Sequence, residues 1–333
     1  MERELQAPVD LCDANGRLNP DAVGWSRQPL HRCNLSGRAG RKKRWNYWAV
    51  TSPDHLFSVT LADIDYLGLA FVYYLDFTTG WLAELTVSRL FGYGCSLNET
   101  VPGDLRFEDR RLKLRLTDDG VQIRLWVEAP EFHGCSLSAD LQIARPPGHE
   151  TLNVVIPWSE RHFQYTSKQE ALPAHGQVML DSRVIPFPQG ASWACLDFGR
   201  GVWPYRTSWN WAAAAGMVDG RSVGFNLGGK WTDGTGYTEN GIVVDGRLTK
   251  IGGAMTFRYD AQEFKNPWQI TGERVDLTFL PFYERVAKTD ILLLRSEVHQ
   301  LIGRFSGVLE TEDGERIAIR NMIGWAEEHR ARW

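Results

Sequence analysis

Hydrophobic and polar residues alternate with a period of two through most of the chain. The segment 111–116 alternates basic residues with leucine, and the segment 121–128 alternates aliphatic residues with mostly polar ones. Alternation of this kind places one set of side chains on one face of a β-strand. Asp119-Gly120 lies between the two segments, and an Asp-Gly pair is typical of a tight hairpin turn. The two segments therefore predict a pair of half-buried antiparallel strands.

The same Asp-Gly turn signal recurs at Asp219-Gly220, Asp245-Gly246 and Asp313-Gly314, each time between strand-like runs. Long amphipathic helical patterns that alternate with strands do not appear, which argues against a parallel α/β sheet. We therefore expect an all-β fold, with one short helix from about Asn321 onward. Further strands are predicted at 56–62, 67–77, 136–143, 151–156, 254–259, 274–280 and 299–305.

The length of 333 residues predicts two domains rather than one. The polar segment Trp158–Gly176, which contains Pro173, separates two strand-rich halves of similar size. Each half contains a similar short aromatic motif, Trp45–Trp48 in the first and Trp209–Trp211 in the second. Many antiparallel strands in units of this size are typical of barrels or sandwiches. We expect domains at residues 1–165 and 166–333.

Composition and charge exclude several classes of function. A net charge of −4 gives no electrostatic basis for nucleic-acid binding. The five cysteines are scattered without C-x-x-C spacing, which argues against a disulfide framework or a zinc site and favours a reducing compartment. The first residues lack the apolar run of a secretory signal, and the longest apolar stretch, Leu67–Leu75, is too short to span a bilayer. We therefore expect a soluble, cytoplasmic protein with no integral membrane segment.

The segment 193–216 is the densest in candidate chemistry. Asp197 ends an apolar run among Trp193, Phe198 and Trp203, and a carboxyl in such surroundings is suited to general-acid work near neutral pH. Arg200 lies three residues further on, so a buried Asp197–Arg200 ion pair is the structural alternative.

Fourteen tryptophans are many for this length, and the segment 203–211 concentrates them. Trp203, Tyr205, Trp209 and Trp211 all occupy odd positions, which places them on one face of a continuous strand. Such a face forms either an aromatic wall that binds an apolar chain and stabilises positive charge, or the core of a sandwich.

A second polar cluster, residues 230–240, is punctuated by glycine and contains Tyr237, Glu239 and Asn240. It is either a functional loop at the mouth of a barrel or an ordinary surface loop. The sequence has no H-E-x-x-H, no G-x-S-x-G, no P-loop and no dinucleotide-binding glycine pattern after a strand. We therefore expect neither a metal nor an organic cofactor.

Several segments together resemble a known family. They are Gly24–Leu30, Arg44–Val50, Ala62–Gly68 and the block Trp193–Ala212, and they resemble the domain-of-unknown-function family DUF2804 over nearly the whole chain. That family is in turn similar to the lipocalin-like superfamily of carotenoid 1,2-hydratase, tocopherol cyclase and fungal decalin-forming Diels–Alderases. The link lies in W-x-D-x-x-x-G and W-x-W elements, carried here by Trp193 with Asp197 and by Trp209 with Trp211. The spacing between Trp193 and Asp197 differs from that pattern.

The resemblance implies two calycin-type antiparallel barrels or sandwiches, a ligand bound at or between them, and acid-assisted chemistry on polyenes without an organic cofactor. We expect a hydrophobic small molecule, such as an isoprenoid, polyene or fatty chain, to be bound and hydrated, isomerised or cyclised by a lyase or isomerase. Asp197, Glu239 and Tyr237 are the expected catalytic residues. The expected substrate-binding residues are Arg200, Trp203, Tyr205, Arg206, Trp209, Trp211, Asn226 and Asn240.

Two other hypotheses stay open. A non-catalytic lipid carrier or stress-linked binder needs only the aromatic wall, with Arg200 or Arg206 holding a carboxylate head group. A structural scaffold would have barrels filled by their own side chains. A homodimer is left open under each hypothesis.

Overall fold

The computed structural model describes residues 2–37, 39–291 and 294–332. Within these residues the chain forms 23 β-strands and one turn of 3-10 helix, Pro20–Ala22. The predicted all-β class is confirmed. In the described part of the chain, no helix has the length and apolar character needed to cross a membrane.

The strands before residue 203 have the following bounds. They are β1 (Val9–Asp10), β2 (Trp25–Ser26), β3 (His31–Arg32), β4 (Lys42–Thr51), β5 (His55–Asp63), β6 (Leu67–Asp76), β7 (Leu82–Leu90), β8 (Leu105–Glu108), β9 (Lys113–Asp118), β10 (Gln122–Phe132), β11 (Cys135–Ala144), β12 (Leu152–Pro157), β13 (Phe163–Leu180) and β14 (Arg183–Val202).

The later strands are β15 (Arg206–Val218), β16 (Arg221–Gly229), β17 (Asn240–Val244), β18 (Arg247–Ile251), β19 (Thr256–Arg258), β20 (Trp268–Gly272), β21 (Val275–Ile291), β22 (Leu294–Glu310) and β23 (Arg316–Arg332). All four Asp-Gly pairs lie between paired strands, as predicted. Asp219 and Gly220 both have positive φ, 49° and 80°, which is the conformation of a tight hairpin turn.

The first sheet has 12 strands, in the order β7-β6-β5-β4-β14-β13-β11-β10-β9-β8, with β12 also paired to β13 and β2 paired to β12. Val87 of β7 and Leu105 of β8 lie at opposite ends of this order, yet both belong to one apolar core. The sheet therefore curls until its two ends enclose the same core.

The second sheet has nine strands, in the order β18-β17-β16-β15-β23-β22-β21-β20-β19. Ile251 of β18 belongs to its core, and Phe257 of β19, at the other end, packs against that core. The chain's own side chains pack the interior, as shown by Phe279 and Phe305, whose rings stack with centroids 4.4 Å apart.

Two sequence-based expectations about the path of the chain are wrong. No helix follows Asn321, because this segment is strand β23, which pairs with both β15 and β22. The polar segment Trp158–Gly176 is not a connection, because residues from Phe163 onward form β13 in the middle of the first sheet. The hydrogen-bonded sheets change between Val202 and Arg206 instead. The division into domains 1–165 and 166–333 stays a prediction.

The two sheets pack against each other through their outer faces. Tyr47 and Tyr73 of the first sheet contact Trp211 and Trp325 of the second, and we call these four residues the tyrosine cluster. A second apolar contact, the tryptophan cluster, consists of Trp158, Trp203 and Trp231. Trp209 packs against both groups. Polar residues that lie at this junction are therefore shielded from solvent by aromatic side chains.

Candidate active site between the two sheets

Lys168 joins the two sheets through two carboxylates. Its Nζ lies 2.9 Å from Asp197 Oδ1 and 3.0 Å from Glu239 Oε2. Lys168 on β13 and Asp197 on β14 are direct partners in the ladder of the first sheet, whereas Glu239 immediately precedes β17 of the second. We call these three residues the Lys168 centre.

The Lys168 centre is buried, so the charges of its two carboxylates influence the pKa of Lys168. The side chains of Lys168 and Glu239 are only 5% and 2% exposed. Burial by itself lowers the pKa of Lys168, but the charges of Asp197 and Glu239 outweigh burial, and the pKa lies above its usual value. The ammonium group therefore stays charged, and its face-on contact with Trp211, 4.9 Å from the ring centroid, adds a cation–π interaction.

Glu239 is fixed by its surroundings on the second sheet. Trp231 donates its indole N–H to Glu239 Oε1 over 2.7 Å. Gly228 makes room for this carboxyl, because a Cβ at that position would lie 2.0 Å from Glu239 Oε1. Burial raises the pKa of Glu239 despite the nearby charge of Lys168.

Asp197 is the most accessible of the three residues. Its side chain is 15% exposed, and it accepts a hydrogen bond of 3.2 Å from the Thr166 hydroxyl besides its ion pair with Lys168. Asp197 is therefore the carboxylate of the Lys168 centre that a ligand can reach most directly.

Glu327 of β23 supplies a further carboxyl at this junction. It is 7% exposed and accepts a 2.8 Å hydrogen bond from the indole N–H of Trp209. Burial, with a contribution from the charge of Asp197, raises the pKa of Glu327 to about 7. A carboxyl with this pKa can both donate and accept a proton at neutral pH.

Aromatic rings lie on both sides of these polar groups. In the tryptophan cluster, Trp203 stacks on Trp231 with centroids 5.2 Å apart and lies 5.7 Å from Trp209. In the tyrosine cluster, Trp211 lies 5.6 Å from both Tyr47 and Trp325. The arrangement combines acids, the ammonium group of Lys168 and aromatic faces, which suits proton transfer to an apolar molecule and stabilisation of the positive charge that results.

Comparison with known proteins identifies the family. The model of the family described as domain of unknown function (DUF2804) matches residues 2–333. The chain belongs to the DUF2804 family. No curated protein matches this DUF2804 chain by sequence.

Solved structures show what fold the DUF2804 chain shares. A crystal structure of CghA with Sch210972 is 12% identical with a TM-score of 0.53, and the match covers 90% of each chain. A second structure of CghA is 13% identical with the same TM-score of 0.53 and covers 98% of this chain and 97% of that one. Kievitone hydratase from Nectria haematococca is 7% identical with a TM-score of 0.50 and covers 88% and 89%. These likenesses confirm the expected lipocalin-like, all-β fold.

The structure brings together Asp197 and Glu239, which sequence analysis proposed separately, but it does not pair Asp197 with Arg200. Arg200 lies on the core face of β14, where its guanidinium donates to the carbonyl oxygens of Trp45, Gly199 and Asn98 at 2.7–3.0 Å. It is completely buried, and the alternative in which it forms an ion pair with Asp197 is wrong.

The predicted aromatic wall is not one continuous strand face. β14 ends at Val202 and β15 begins at Arg206, so Trp203 and Tyr205 lie in the connection. Tyr205 is 37% exposed, and Arg206 is exposed as well. Trp203, Trp209 and Trp211 do lie at the junction of the two sheets, in the clusters already described.

The two predicted asparagines position the main chain around Glu239. Asn226 donates to the carbonyl oxygen of Glu239 over 2.6 Å and accepts from the indole of Trp211 over 2.7 Å. Asn240 accepts from the amide of Gly228 over 2.7 Å and donates to the carbonyl oxygen of Gly253, just after β18. Tyr237 is partly buried against the apolar contact that contains the tryptophan cluster.

Sequence analysis missed Lys168, Glu327 and Trp231. Lys168 lies in the segment interpreted as a connection, although the alternation of Phe163 and Tyr165 with polar residues was a signal for a strand. Glu327 lies in the segment interpreted as a helix. No group of three His, Cys, Asp or Glu side chains within the described residues has the arrangement of a metal site.

Two surface pockets, of about 740 and 470 Å³, lie elsewhere. The first is lined by residues between Asp104 and Gln142, and the second by residues between Ala261 and Arg330. Neither lining includes Lys168, Asp197 or Glu239. We assign the candidate site from its buried acids and cation, because the shape of a surface pocket does not by itself identify an active site.

Proposed function

We propose that this chain binds an apolar small molecule between its two sheets and catalyses cofactor-free, acid-assisted hydration, isomerisation or cyclisation there. The observation that carries the proposal is Glu327, a carboxyl whose pKa is raised to about 7 beside the ring of Trp209. An acid with a pKa near the working pH is the type best suited to transfer a proton in catalysis.

In the proposed hydration, Glu327 transfers its proton to one carbon of a C=C bond. The π electrons form the new C–H bond and leave a carbocation, which the faces of Trp209 and Trp211 stabilise. Water adds to the cation and loses a proton to the carboxylate of Asp197. A return of that proton to Glu327 through solvent restores both groups. In isomerisation, Asp197 instead removes a proton from a carbon next to the cation.

Lys168 and Glu239 are positioning residues in this proposal. The ammonium group holds Asp197 in place, and Glu239, tied to Trp231, holds the ammonium group from the other sheet. The substrate class is expected to be an isoprenoid, polyene or fatty chain. The name kievitone hydratase, borne by one protein of similar fold, makes hydration the first reaction to test.

The first experiment is native mass spectrometry of protein purified from cell extract, followed by solvent extraction of any bound molecule. The extracted molecule and unsaturated analogues are then incubated with wild type, with Glu327→Gln and with Glu131→Gln, which makes the same change at an exposed glutamate of β10. Loss of turnover in Glu327→Gln alone supports the proposal. Binding without turnover in the wild type would mean a non-catalytic carrier, and absence of any bound molecule or binding would contradict both functions.

A further inference from the structure

Glu170 is a buried carboxyl that neither the fold nor the proposed proton transfer uses. It lies two residues after Lys168 on β13, and its Cβ packs against Gly224 of β16, so its side chain is on the face that points to the second sheet. Glu170 is 3% exposed, and neither carboxyl oxygen has a hydrogen-bond partner among the residues that the structure describes. Buried polar groups are nearly always paired, so this carboxyl points to a missing partner.

The backbone around Glu170 is shaped to present its side chain. The ladder between β13 and β14 shifts register between Gln169 and Leu172, which marks a β-bulge. Ala171 in this bulge has a φ of 56°, a left-handed conformation that is strained for a residue other than glycine. Bulges of this kind re-aim a side chain and are frequent next to active sites.

The second sheet closes directly over the bulge. A Cβ at Gly224 of β16 would lie 3.0 Å from Ala171 Cβ and 3.2 Å from Glu170 Cβ. Glycine at this position therefore allows the close approach that confines Glu170 to the junction of the sheets.

A second unpartnered polar group lies at the same junction. Trp325 of β23 is 3% exposed, and its indole N–H has no acceptor within the described chain. Its ring lies 5.6 Å from that of Trp211, whose face contacts Lys168. One unpartnered group from each sheet thus lies at the junction that contains the Lys168 centre.

We infer that Glu170 and Trp325, two groups at the junction without a hydrogen-bond partner in the described chain, each donate a hydrogen bond to an oxygen of the ligand, so that the substrate is an apolar molecule with a carbonyl group rather than a pure hydrocarbon. This inference rests on the proposed function and narrows its substrate class. Trp325 can only donate a hydrogen bond. Burial raises the pKa of Glu170 well above its usual value, despite the nearby charge of Lys168, so its carboxyl also donates. Two donors within apolar walls are complementary to a carbonyl oxygen.

The test compares two probes of equal shape by quenching of tryptophan fluorescence. They are geranylacetone and the hydrocarbon in which a CH₂ group replaces the carbonyl oxygen, so that C=CH₂ stands in place of C=O. A site built to hydrogen-bond an oxygen should favour the ketone by about tenfold or more. Glu170→Leu should bring the two affinities close together by weakening ketone binding, whereas Glu131→Leu at an exposed site should leave the preference unchanged.

A stability measurement on the same variants is independent of any ligand. Removal of an unpaired buried carboxyl should raise the midpoint of urea unfolding in Glu170→Leu above that of wild type. A lowered midpoint would show that Glu170 has a structural partner and would overturn the inference. Equal binding of the two probes by wild type would overturn it as well while leaving the proposed function intact. If neither probe quenches the fluorescence, the carbonyl class is rejected, and the extraction experiment decides the proposed function separately.

Discussion

Lys168 and Asp197 are direct ladder partners on β13 and β14, and their charged atoms lie 2.9 Å apart on the face that meets the second sheet. Because Glu239 reaches the same ammonium group from the second sheet, Lys168 bridges one carboxylate from each sheet. The relationship makes the stability of the sheet junction dependent on a balance of buried charge.

Lys168→Met should lower the free energy of unfolding by about 3–5 kcal/mol, because it leaves buried carboxyls without their cation. Urea unfolding followed by circular dichroism measures the change. Lys113→Met is the matched control, since Lys113 and Glu128 form an exposed pair whose side chains are 48% and 44% exposed. That control should change stability by about 1 kcal/mol or less. Equal effects of both variants would refute a special role for Lys168.

Gly228→Ala should destabilise the protein by about 1–3 kcal/mol, because the new methyl group would occupy the space of the Glu239 carboxyl. Thermal or urea unfolding measures this loss. Gly252→Ala provides the control, since a Cβ there would meet no atom closer than 3.8 Å. A Gly228→Ala protein as stable as the control variant would show that Glu239 is not confined as described.

Glu327 should make the stability of the protein depend on pH between about 4.5 and 7. Its pKa is raised by burial from 4.5 to about 7, so the folded state keeps a proton that the unfolded state loses. This contribution is fully present below pH 4.5 and is lost as the pH rises through 7, for a total of about 3 kcal/mol. The difference in unfolding free energy between Glu327→Gln and wild type should therefore shift in favour of Glu327→Gln when the pH is raised from 4.5 to 8.

The pH dependence of stability must be compared between wild type and Glu327→Gln, because other groups also titrate in this range. Burial lowers the pKa of His31 to about 4 and that of His329 to about 3, and these groups favour the folded state as pH rises to about 6.5. Because both proteins contain the histidines, subtracting the two profiles of unfolding free energy against pH isolates Glu327. A flat difference profile would contradict the raised pKa.

Glu327→Gln should also lower kcat by about 10²–10⁴-fold on any substrate that the wild type converts, since the amide cannot transfer a proton. Asp197→Asn should lower kcat as well, because it removes the acceptor for the second proton. The wild-type rate should fall as the pH rises through about 7, where Glu327 loses its proton. Full turnover by Glu327→Gln would exclude it as the acid.

Local pattern in the sequence determined the strands and the turns. The alternation in 111–128 and the Asp-Gly pairs are properties of neighbouring residues, and they are enough to predict this hairpin and its turn. The aromatic block that contains Asp197 also stood out, because apolar surroundings along the chain are visible without a structure. Asp197 and Glu239 were therefore found as single residues.

Only the tertiary structure decided which of these groups meet. The register of β13 against β14 places Lys168 opposite Asp197, and the packing of one sheet on the other brings in Glu239 and Glu327. Arg200, although nearer to Asp197 in sequence, points to the opposite face because side chains alternate along a strand. Tertiary pairing also made a strand of the segment after Asn321, where the local pattern favoured a helix. Contacts of this kind depend on long-range register and sheet packing, which leave no period in the sequence itself.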